Sequence, residues 1–307
     1  MLSDLPLFEG VSPVLDTFFG APIDISAANY VFVGVPFDKT STFRHGSQQG
    51  PVAIRNASQH IESYCLQENS SINAAELPLA DIGNVSFSSE TVESMLRSTE
   101  AVVAHLNSLE KIPLLLGGEH TLTLGAVRAL PRDIVLVQFD AHMDLRDQYK
   151  GNEFTHASVQ RRIVEHLGPD HLIQIGIRAI TEEEYDYAKS HEIVFYSSDV
   201  ILKEGAEVIA HRINEAIPPG PPIYISIDLD VLDPAFAPAV GNPEAAGVST
   251  HELLTILNSI APRATAFDIT ELTPQYDQGI SAITAARIIK SFLCIHAKHH
   301  STATTVR

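Results

Sequence analysis

The chain has 307 residues, of which 45% are hydrophobic, 19% charged and 7% aromatic. This composition excludes a disordered, collagen-like or coiled-coil protein and provides enough apolar residues for a core. The formal net charge of −18 disfavours nucleic acid and anionic lipid as partners and mildly favours a cationic small molecule.

Short β-branched apolar runs predict seven buried strands: Tyr30–Val35, Ile112–Leu116, Ile134–Phe139, Leu172–Gly176, Ile193–Tyr196, Ile223–Ile227 and Thr265–Ile269. Amphipathic segments predict helices over Val52–Tyr64, Glu90–Leu109, Leu122–Leu130, Ala157–Leu167, Thr181–Ser190, Ala206–Ala216, His251–Ile260 and Ser281–His296. Strands and helices alternate throughout, and no linker divides them. We therefore expect a single α/β domain over residues 1–307, with three layers and right-handed crossovers around a largely parallel sheet.

The termini and the cysteines predict a cytoplasmic protein. The start, MLSDLPLFEG, lacks the pattern of a secretory signal, and no apolar run approaches the roughly 18 residues that cross a bilayer. Cys65 and Cys294 cannot form a disulfide framework and lie in no CxxC pair, so we expect buried free thiols in a reducing compartment. The final stretch, residues 298–307 (KHHSTATTVR), lacks apolar periodicity and is expected to be a frayed, mobile tail whose histidines are solvated.

Polar residues follow several of the predicted strands at the point where each strand ends. They are His120 in GGEH, then Asp140, His142 and Asp144 in DAHMD, then Asp228 and Asp230 in DLDVLDP, and finally Glu271. Ligand sites in open α/β sheets lie outside the carboxyl ends of the strands, so we expect these residues to meet. In extended chain, residues i, i+2 and i+4 point the same way, which lets the DAHMD side chains converge.

Carboxylates packed together without cations would repel one another and be forced to protonate. Two divalent metals would neutralise most of this charge, and six ligands suffice for such a pair. A set rich in oxygen with one imidazole per metal suits manganese better than zinc, so we expect two manganese ions per chain. Each motif alone also has a structural interpretation, such as a capped turn before Pro234. Their convergence on one edge of the sheet favours the metal interpretation.

The motifs GGEH, DAHMD, SIDLDVLDP and DITELTP are similar to those of the ureohydrolase family, which includes arginase, agmatinase, guanidinobutyrase and formimidoylglutamase. The start, GVPFDKTSTFRHGSQQGPVAIR, most resembles agmatinases. The resemblance implies an arginase-like α/β/α sandwich that forms a homo-oligomer, a trimer or a hexamer. It also implies two ligand sets. One metal is held by His120, Asp140, Asp144 and Asp228. The other is held by Asp140, His142, Asp228 and Asp230, so that Asp140 and Asp228 bridge.

The resemblance further implies the chemistry. A hydroxide shared by the two metals attacks a guanidinium carbon, and the products are urea and an amine. Asp144 is expected to carry the proton first, and His156 in FTHAS is expected to act as the proton shuttle. Glu271 is the carboxylate expected to hold the guanidinium. Without the resemblance, Glu271 would be interpreted as a carboxylate in a turn. His156 would be interpreted as a histidine at the start of a helix that Thr155 caps. Asp268 is expected to fix the turn before Glu271.

The expected substrate is agmatine, hydrolysed to putrescine and urea as in polyamine biosynthesis. The asparagine that arginases carry after DAHxD is absent here, and the adjacent Asp147 suits a substrate with a second positive charge. Arg146 can instead pair with a carboxylate, or form a salt bridge at a helix end or a subunit contact. Both residues are candidate substrate-binding residues. The alternatives within the family are a guanidinobutyrase, another guanidino-acid hydrolase, a formimidoylglutamase and an arginase.

Three further interpretations follow from the motifs. A deacetylase of the same fold is disfavoured, because such enzymes lack the complete two-metal ligand set. An inactive metal-bound partner subunit is disfavoured because every expected site residue is present. Glu119 stands in GGEH where many family members have aspartate, and we expect it to hold the other ring nitrogen of His120 or a nearby donor.

Overall fold

The computed structural model describes residues 10–66, 69–72 and 77–304. Eleven strands lie within these residues: β1 (Val11–Ser12), β2 (Tyr30–Val35), β3 (Tyr64–Cys65), β4 (Ser70–Ser71), β5 (Leu79–Val85), β6 (Ile112–Gly117), β7 (Val135–Phe139), β8 (Leu172–Ile177), β9 (Val194–Ser197), β10 (Ile223–Asp228) and β11 (Ala264–Thr270). Nine of them form one sheet in the order β1-β5-β2-β6-β11-β10-β7-β8-β9. Only the short β1 pairs antiparallel within this sheet, so the predicted parallel sheet is confirmed.

The α-helices of the described residues are α1 (Gly50–Ser58), α2 (Val92–Ser108), α3 (Leu122–Arg128), α4 (Val159–Leu167), α5 (Glu182–Ser190), α6 (Ser198–Glu204), α7 (Ala206–Ala216), α8 (Thr250–Ile260) and α9 (Ile280–Thr304). Two apolar clusters cover the sheet. One contains residues of α1 and α6 to α9, and the other contains residues of α2 to α5. Both faces of the sheet are therefore buried, which explains the continuous apolar runs of its strands and confirms the three layers.

Strand β5, helix α6 and the two-residue strands β1, β3 and β4 were not predicted. Strand β5 is buried, although its sequence, LADIGNV, contains the polar residues Asp81 and Asn84. The buried Arg55 satisfies the Asp81 carboxylate with two hydrogen bonds, from Nε at 2.8 Å and from Nη2 at 2.9 Å. The partner lies 26 residues away in the chain, so polarity alone gave the wrong assignment for this segment.

The carboxyl-terminal helix differs from the expectation in two ways. The expected tail begins at residue 298, but α9 continues to Thr304, while residues 305–307 lie outside the described residues. We expected no apolar run long enough to cross a membrane. Ile280–His300 passes that test by length and composition, with a mean hydropathy of 1.4. However, 67% of this stretch is buried in the fold, where α9 packs against α1 and α8 as a core helix does.

The expectation of free thiols was wrong. Cys65 of β3 and Cys294 of α9 form a disulfide in the structure, with their Cα atoms 6.5 Å apart. Both residues are buried, as expected. Their separation of 229 residues along the chain gives no local signal for pairing. The inference of a reducing compartment from these cysteines therefore has no structural support.

Candidate active site

The expected site residues follow four neighbouring strands of the sheet, β6, β11, β10 and β7. His120 comes three residues after β6, Asp140 directly after β7, Asp228 at the end of β10, and Glu271 directly after β11. All these strands are parallel, so their carboxyl ends lie at one edge of the sheet. The topology therefore gathers side chains that lie up to 151 residues apart in the chain.

Three carboxylates surround the buried side chain of His120. Its Nδ1 lies 3.1 Å from Asp140 Oδ2, 3.3 Å from Asp144 Oδ2 and 3.6 Å from Asp228 Oδ2. Asp144 reaches this position through a left-handed backbone, with φ of 53°. Such a conformation is uncommon outside glycine and costs of the order of 1–3 kcal/mol, so the surrounding fold must impose it.

The other ring nitrogen of His120 faces the core. Ser226 donates its hydroxyl hydrogen to Asp268 Oδ1 at 2.7 Å, so Ser226 Oγ accepts from His120 Nε2 at 2.9 Å. Asp268 also accepts from the hydroxyls of Tyr224 and Thr123. Asp268 thus lies inside β11 and supports His120. The expectation that it fixes the turn was wrong.

The second group forms around His142. Its Nδ1 lies 3.0 Å from Asp230 Oδ2 and 3.6 Å from Asp140 Oδ1, so Asp140 belongs to both groups. Backbone hydrogen bonds hold the carboxylates in place, since the Ala141 amide donates to Asp230 Oδ1 and the His142 amide to Asp140 Oδ1. The candidate ligand atoms of each group, His120–Asp140–Asp228 and Asp140–His142–Asp230, lie within 4.8 Å of one another.

The donor set fits a pair of cations. His120 Nε2 carries the hydrogen that Ser226 accepts, which leaves Nδ1 with its lone pair aimed at carboxylates. This buried Nδ1 makes no hydrogen bond to any described residue. A lone pair facing carboxylate oxygens is repulsive unless a cation lies there, either a proton on the ring, which the raised pKa of His120 favours in the metal-free site, or a metal ion. Asp140, shared by the two groups, has the position of a bridging ligand.

The pKa values of the site show the same shortage of positive charge. Burial and the neighbouring Asp140 raise the pKa of Asp144 to about 7. Burial, together with Asp230 and Asp140, raises the pKa of Asp228 well above its usual range. For His120, burial works to lower the pKa, but the carboxylates of Asp140 and Asp144 outweigh it and hold that pKa well above the ordinary value. The site is therefore built around positive charge that the side chains alone do not supply.

A cavity of about 350 Å³ opens beside these groups. Its lining includes the expected site residues His142, Asp144, Arg146, His156, Asp228, Asp230 and Glu271. Glu244 also lines this cavity, and the sequence analysis did not single it out. Its Oε1 lies 3.9 Å from His142 Nε2, and its side chain is 45% exposed. The signal for it is its place in the stretch GNPEAAG, residues 241–247, which follows the SIDLDVLDP motif closely in the chain.

Glu271 is held in the cavity wall by three features. Its backbone is left-handed, with φ of 64°, and its amide donates to the Gly118 carbonyl at 2.8 Å. Its Oε1 accepts from the His120 amide at 2.7 Å. A Cβ on Gly241 would lie 2.9 Å from Glu271 Oε2, so only glycine leaves the carboxylate this room. Burial, followed by the charge of Glu119, raises its pKa well above the usual range.

His156 lies at the start of a helical turn that precedes α4. The hydroxyl of Thr155 and the side chain of Ser158 form a reciprocal capping box there, in agreement with the expected cap. The His156 side chain is buried yet lines the cavity, and its Nδ1 lies 3.0 Å from Thr40 Oγ1. Burial lowers the pKa of His156 to about 4, with His142 and His120 adding to the effect, so its ring is neutral at neutral pH.

The two candidate substrate-binding residues after DAHMD have different positions. Arg146 lines the cavity, stacks over the Tyr149 ring at 5.0 Å and has its Nε 3.8 Å from Glu184 Oε2. The Asp147 carboxylate is turned to Arg162 of α4, 2.9 Å away, and the residue is not part of the cavity lining. The structure thus brings Arg146 into the site and leaves Asp147 in a surface ion pair.

Two further positions carry structural roles that the sequence did not fully predict. Glu119 does not hold the His120 ring, which Ser226 holds, but it does bind nearby donors, including the hydroxyls of Thr40 and Thr121. Arg178, directly after β8, donates to several backbone carbonyls, among them those of Asp230 at 2.7 Å and Glu244 at 2.8 Å. It therefore ties two loops of the cavity wall together.

Known proteins resemble this chain over most of its length. The model of the arginase family matches residues 28–294. The N(1)-aminopropylagmatine ureohydrolase of Thermococcus kodakarensis is 37% identical over 275 residues, which cover 87% of this chain and 90% of the relative. The guanidinobutyrase of Pseudomonas aeruginosa is 30% identical over 306 residues, which cover 95% of this chain and 94% of the relative. The crystal structure of agmatine ureohydrolase of Thermoplasma volcanium superimposes with a TM-score of 0.88 at 37% identity, covering 94% of this chain and 97% of that one.

Proposed function

We propose that this chain, which belongs to the arginase family and is a hydrolase of C–N bonds in linear amidines, acts on agmatine and releases putrescine and urea. We further propose that two manganese ions per chain serve the reaction. The six ligands would be His120, Asp140, His142, Asp144, Asp228 and Asp230. Such an activity belongs to polyamine biosynthesis.

The net charge of the cavity is the observation that favours agmatine as the substrate. Two divalent cations would balance the four aspartates around them, Asp140, Asp144, Asp228 and Asp230. The other charged residues of the lining are three carboxylates and one guanidinium: Glu184, Glu244, Glu271 and Arg146. With Glu271 kept ionised by the guanidinium that it would hold, this remainder has a net charge of two negative units. Agmatine carries a guanidinium and a primary ammonium, both positive at neutral pH, and therefore matches that charge.

The site residues would divide the chemistry among them. When bound, two divalent cations lower the pKa of a shared water toward neutrality and so supply the nucleophile. Glu271 accepts paired N–H groups of the guanidinium and orients its carbon. Asp144 takes up a proton at its carboxylate. His156, whose ring is neutral at rest, receives a proton at one ring nitrogen and passes it to the departing nitrogen, which then leaves as a neutral amine.

Glu244 is the residue we propose for the distal ammonium. Within 4 Å of its carboxylate, the described residues supply one basic side chain, His142. Its partial exposure leaves room for a second cation from the substrate. The proposal therefore predicts that Glu244 affects substrates with an ammonium and not those with a neutral or anionic end.

A guanidino acid is the second candidate substrate, and Arg146 is the observation that favours it. Its guanidinium lines the cavity and can donate two hydrogen bonds to a substrate carboxylate in bidentate fashion. However, Arg146 is already stacked on Tyr149 and lies near Glu184. These contacts neutralise part of its charge, so we rank 4-guanidinobutyrate below agmatine.

The test is a kinetic panel of agmatine, arginine and 4-guanidinobutyrate on the manganese-loaded enzyme, with urea as the readout. We expect the highest kcat/KM for agmatine.

Glu244→Gln should raise the KM for agmatine about 5-fold, the effect of one partly exposed ion pair. The KM for 4-guanidinobutyrate should not rise. Glu182→Gln, which removes an exposed carboxylate of α5, is the matched control and should change neither KM. A preference for 4-guanidinobutyrate that Arg146→Met abolishes would identify the second candidate instead.

Three further proposals need their own measurements. Elemental analysis should find two manganese ions per chain after loading. Light scattering should find a trimer or a hexamer. A cytoplasmic location stays a prediction, which fractionation of the source cells can test.

A further inference from the structure

Glu119 lies at the centre of a buried hydrogen-bond cluster beside the cavity. Its carboxylate accepts from the amides of Lys39 and Thr40, each at 2.7 Å, and from the hydroxyls of Thr40 and Thr121, at 2.8 Å and 2.7 Å. The residue is completely buried. The two amides donate to Oε2 and the two hydroxyls to Oε1, so four donors fill the acceptor sites of an ionised carboxylate and Glu119 acts here as an acceptor.

The Thr40 hydroxyl links this cluster to His156. A hydroxyl has one hydrogen, and Thr40 gives it to Glu119. The same oxygen must then accept from His156, whose amide lies 3.1 Å away and whose ring Nδ1 lies 3.0 Å away. The opposite arrangement, with the Thr40 hydrogen turned to Nδ1, would leave the buried Glu119 short of a donor.

The consequence concerns which ring nitrogen of His156 is protonated. A neutral imidazole has a hydrogen on one nitrogen and a lone pair on the other. Because Nδ1–H donates to Thr40, the lone pair lies on Nε2, the nitrogen on the far edge of the ring. His156 lines the cavity, so Nε2 is the atom left for exchanging protons there.

We propose that Glu119 and Thr40 are positioning residues that hold His156 as its Nδ1–H tautomer, with Nε2 free to receive a proton and pass it to the departing amine. Glu119 acts through Thr40, and neither residue touches the substrate. This inference rests on the proposed role of His156 as proton donor, and the experiment separates the two ideas.

The first test uses turnover in a set of variants of the manganese-loaded enzyme. Thr40→Val keeps the shape of the side chain and removes the hydroxyl, and we expect a loss in kcat of about 10-fold, with KM unchanged. This loss is smaller than the roughly 100-fold expected for His156→Ala, because the ring is still present. Thr40→Ser keeps the hydroxyl and should restore most of kcat. Ser41→Ala removes the neighbouring hydroxyl, which makes no hydrogen bond to any residue that the structure describes, and should behave as wild type.

The decisive variant combines Thr40→Val with His156→Ala. If Thr40 acts through His156, the double variant should turn over no more slowly than His156→Ala alone. A further loss in the double variant, or a wild-type kcat in Thr40→Val beside a slow His156→Ala, would overturn the positioning role. A wild-type rate in His156→Ala would instead overturn the catalytic role of His156.

The second test observes the tautomer without relying on activity. The ring ¹⁵N shifts of the histidines are measured at neutral pH in metal-free protein, and the His156 signals are assigned from their loss in His156→Gln. We expect the Nδ1–H pattern in wild type and in Thr40→Ser, and a mixture of tautomers in Thr40→Val. An Nε2–H pattern in wild type would overturn the proposal whatever the kinetics show.

Discussion

His120 and His142 both contact Asp140, but their surroundings differ. His120 is completely buried, and Ser226 and Asp268 hold its far nitrogen from within the sheet. The His142 side chain is 26% exposed and faces the cavity near Glu244. We call His120, Ser226 and Asp268 the core side of the site, and His142, Asp230 and Glu244 the cavity side. The core side is positioned by the packed sheet, whereas the cavity side lies on segments beyond the strand ends that line the cavity. This difference predicts which changes affect the metals and the fold and which affect the substrate.

The largest effect is expected where the two sides meet. Asp140→Ala removes the carboxylate that both histidines contact, at 3.1 Å and 3.6 Å. Both cations would lose a ligand at once, so urea release should fall at least about 10³-fold and metal content should fall below one ion per chain. Asp147→Ala, which removes a surface carboxylate from the same loop, is the control and should keep both metals. Retention of two ions in Asp140→Ala would disprove the shared role.

Replacing the two histidines one at a time tests the difference between the sides. In metal-free protein, His120→Asn leaves three buried carboxylates without their partner, which should cost about 3–5 kcal/mol of the free energy of unfolding. His142→Asn should cost no more than about 1 kcal/mol, because water reaches its site. Denaturant titrations of the two variants and of wild type give these values. Equal losses would mean that the two sides are equally buried in solution.

The stability of the metal-free protein should depend on pH, mainly through the buried acids. Because the pKa of Asp144 is raised to about 7, the folded state holds its proton more tightly than the unfolded chain does. This stabilisation is complete below about pH 4 and is lost as the pH rises to about 7, and it corresponds to about 4 kcal/mol. Asp228 and Glu271 shift in the same direction. The pKa of Asp140 is instead lowered, because His120 and His142 outweigh its burial, so its contribution is lost only in acid.

Melting curves between pH 4.5 and 8 provide the measurement, with the wide range chosen to span the raised pKa of Asp144. The Tm of the chelator-treated protein should fall as the pH rises. Bound manganese would take the place of the protons, so the loaded protein should show a flatter profile. A metal-free Tm that rises over this range would contradict the predicted sign.

The sequence predicted the parts of the site that depend on local geometry. Asp140, His142 and Asp144 alternate in extended chain, and His120 and Asp228 follow apolar strands, so the rule for strand ends brings them together. The structure places these residues as expected. Their roles as ligands stay predictions until metals are measured. The seven predicted strands match the observed ones within one residue at each end, because both faces of the sheet are buried.

What the sequence could not provide were the contacts between distant segments. Asp268 supports His120 through Ser226, 42 residues earlier in the chain, and nothing near Asp268 indicates that partner. Strand β5 depends in the same way on Arg55. The disulfide of Cys65 and Cys294 joins β3 to α9 across 229 residues of chain. Such residues look like ordinary polar or small residues until the fold gives them partners.

The smallest predicted effect tests whether the core side acts at a distance from the metals. Ser226→Ala removes the acceptor of His120 Nε2 without touching any carboxylate of the site, and it should weaken manganese binding about 10- to 100-fold. Thr123→Val removes a donor to Asp268 one step further away and should weaken binding less. On the cavity side, Glu244→Gln should leave the affinity for manganese unchanged. Competition titrations against a chelator measure all three. Because Ser226 can influence the metals only through the orientation and protonation of His120, an unchanged affinity in Ser226→Ala would show that the carboxylates alone position that ring.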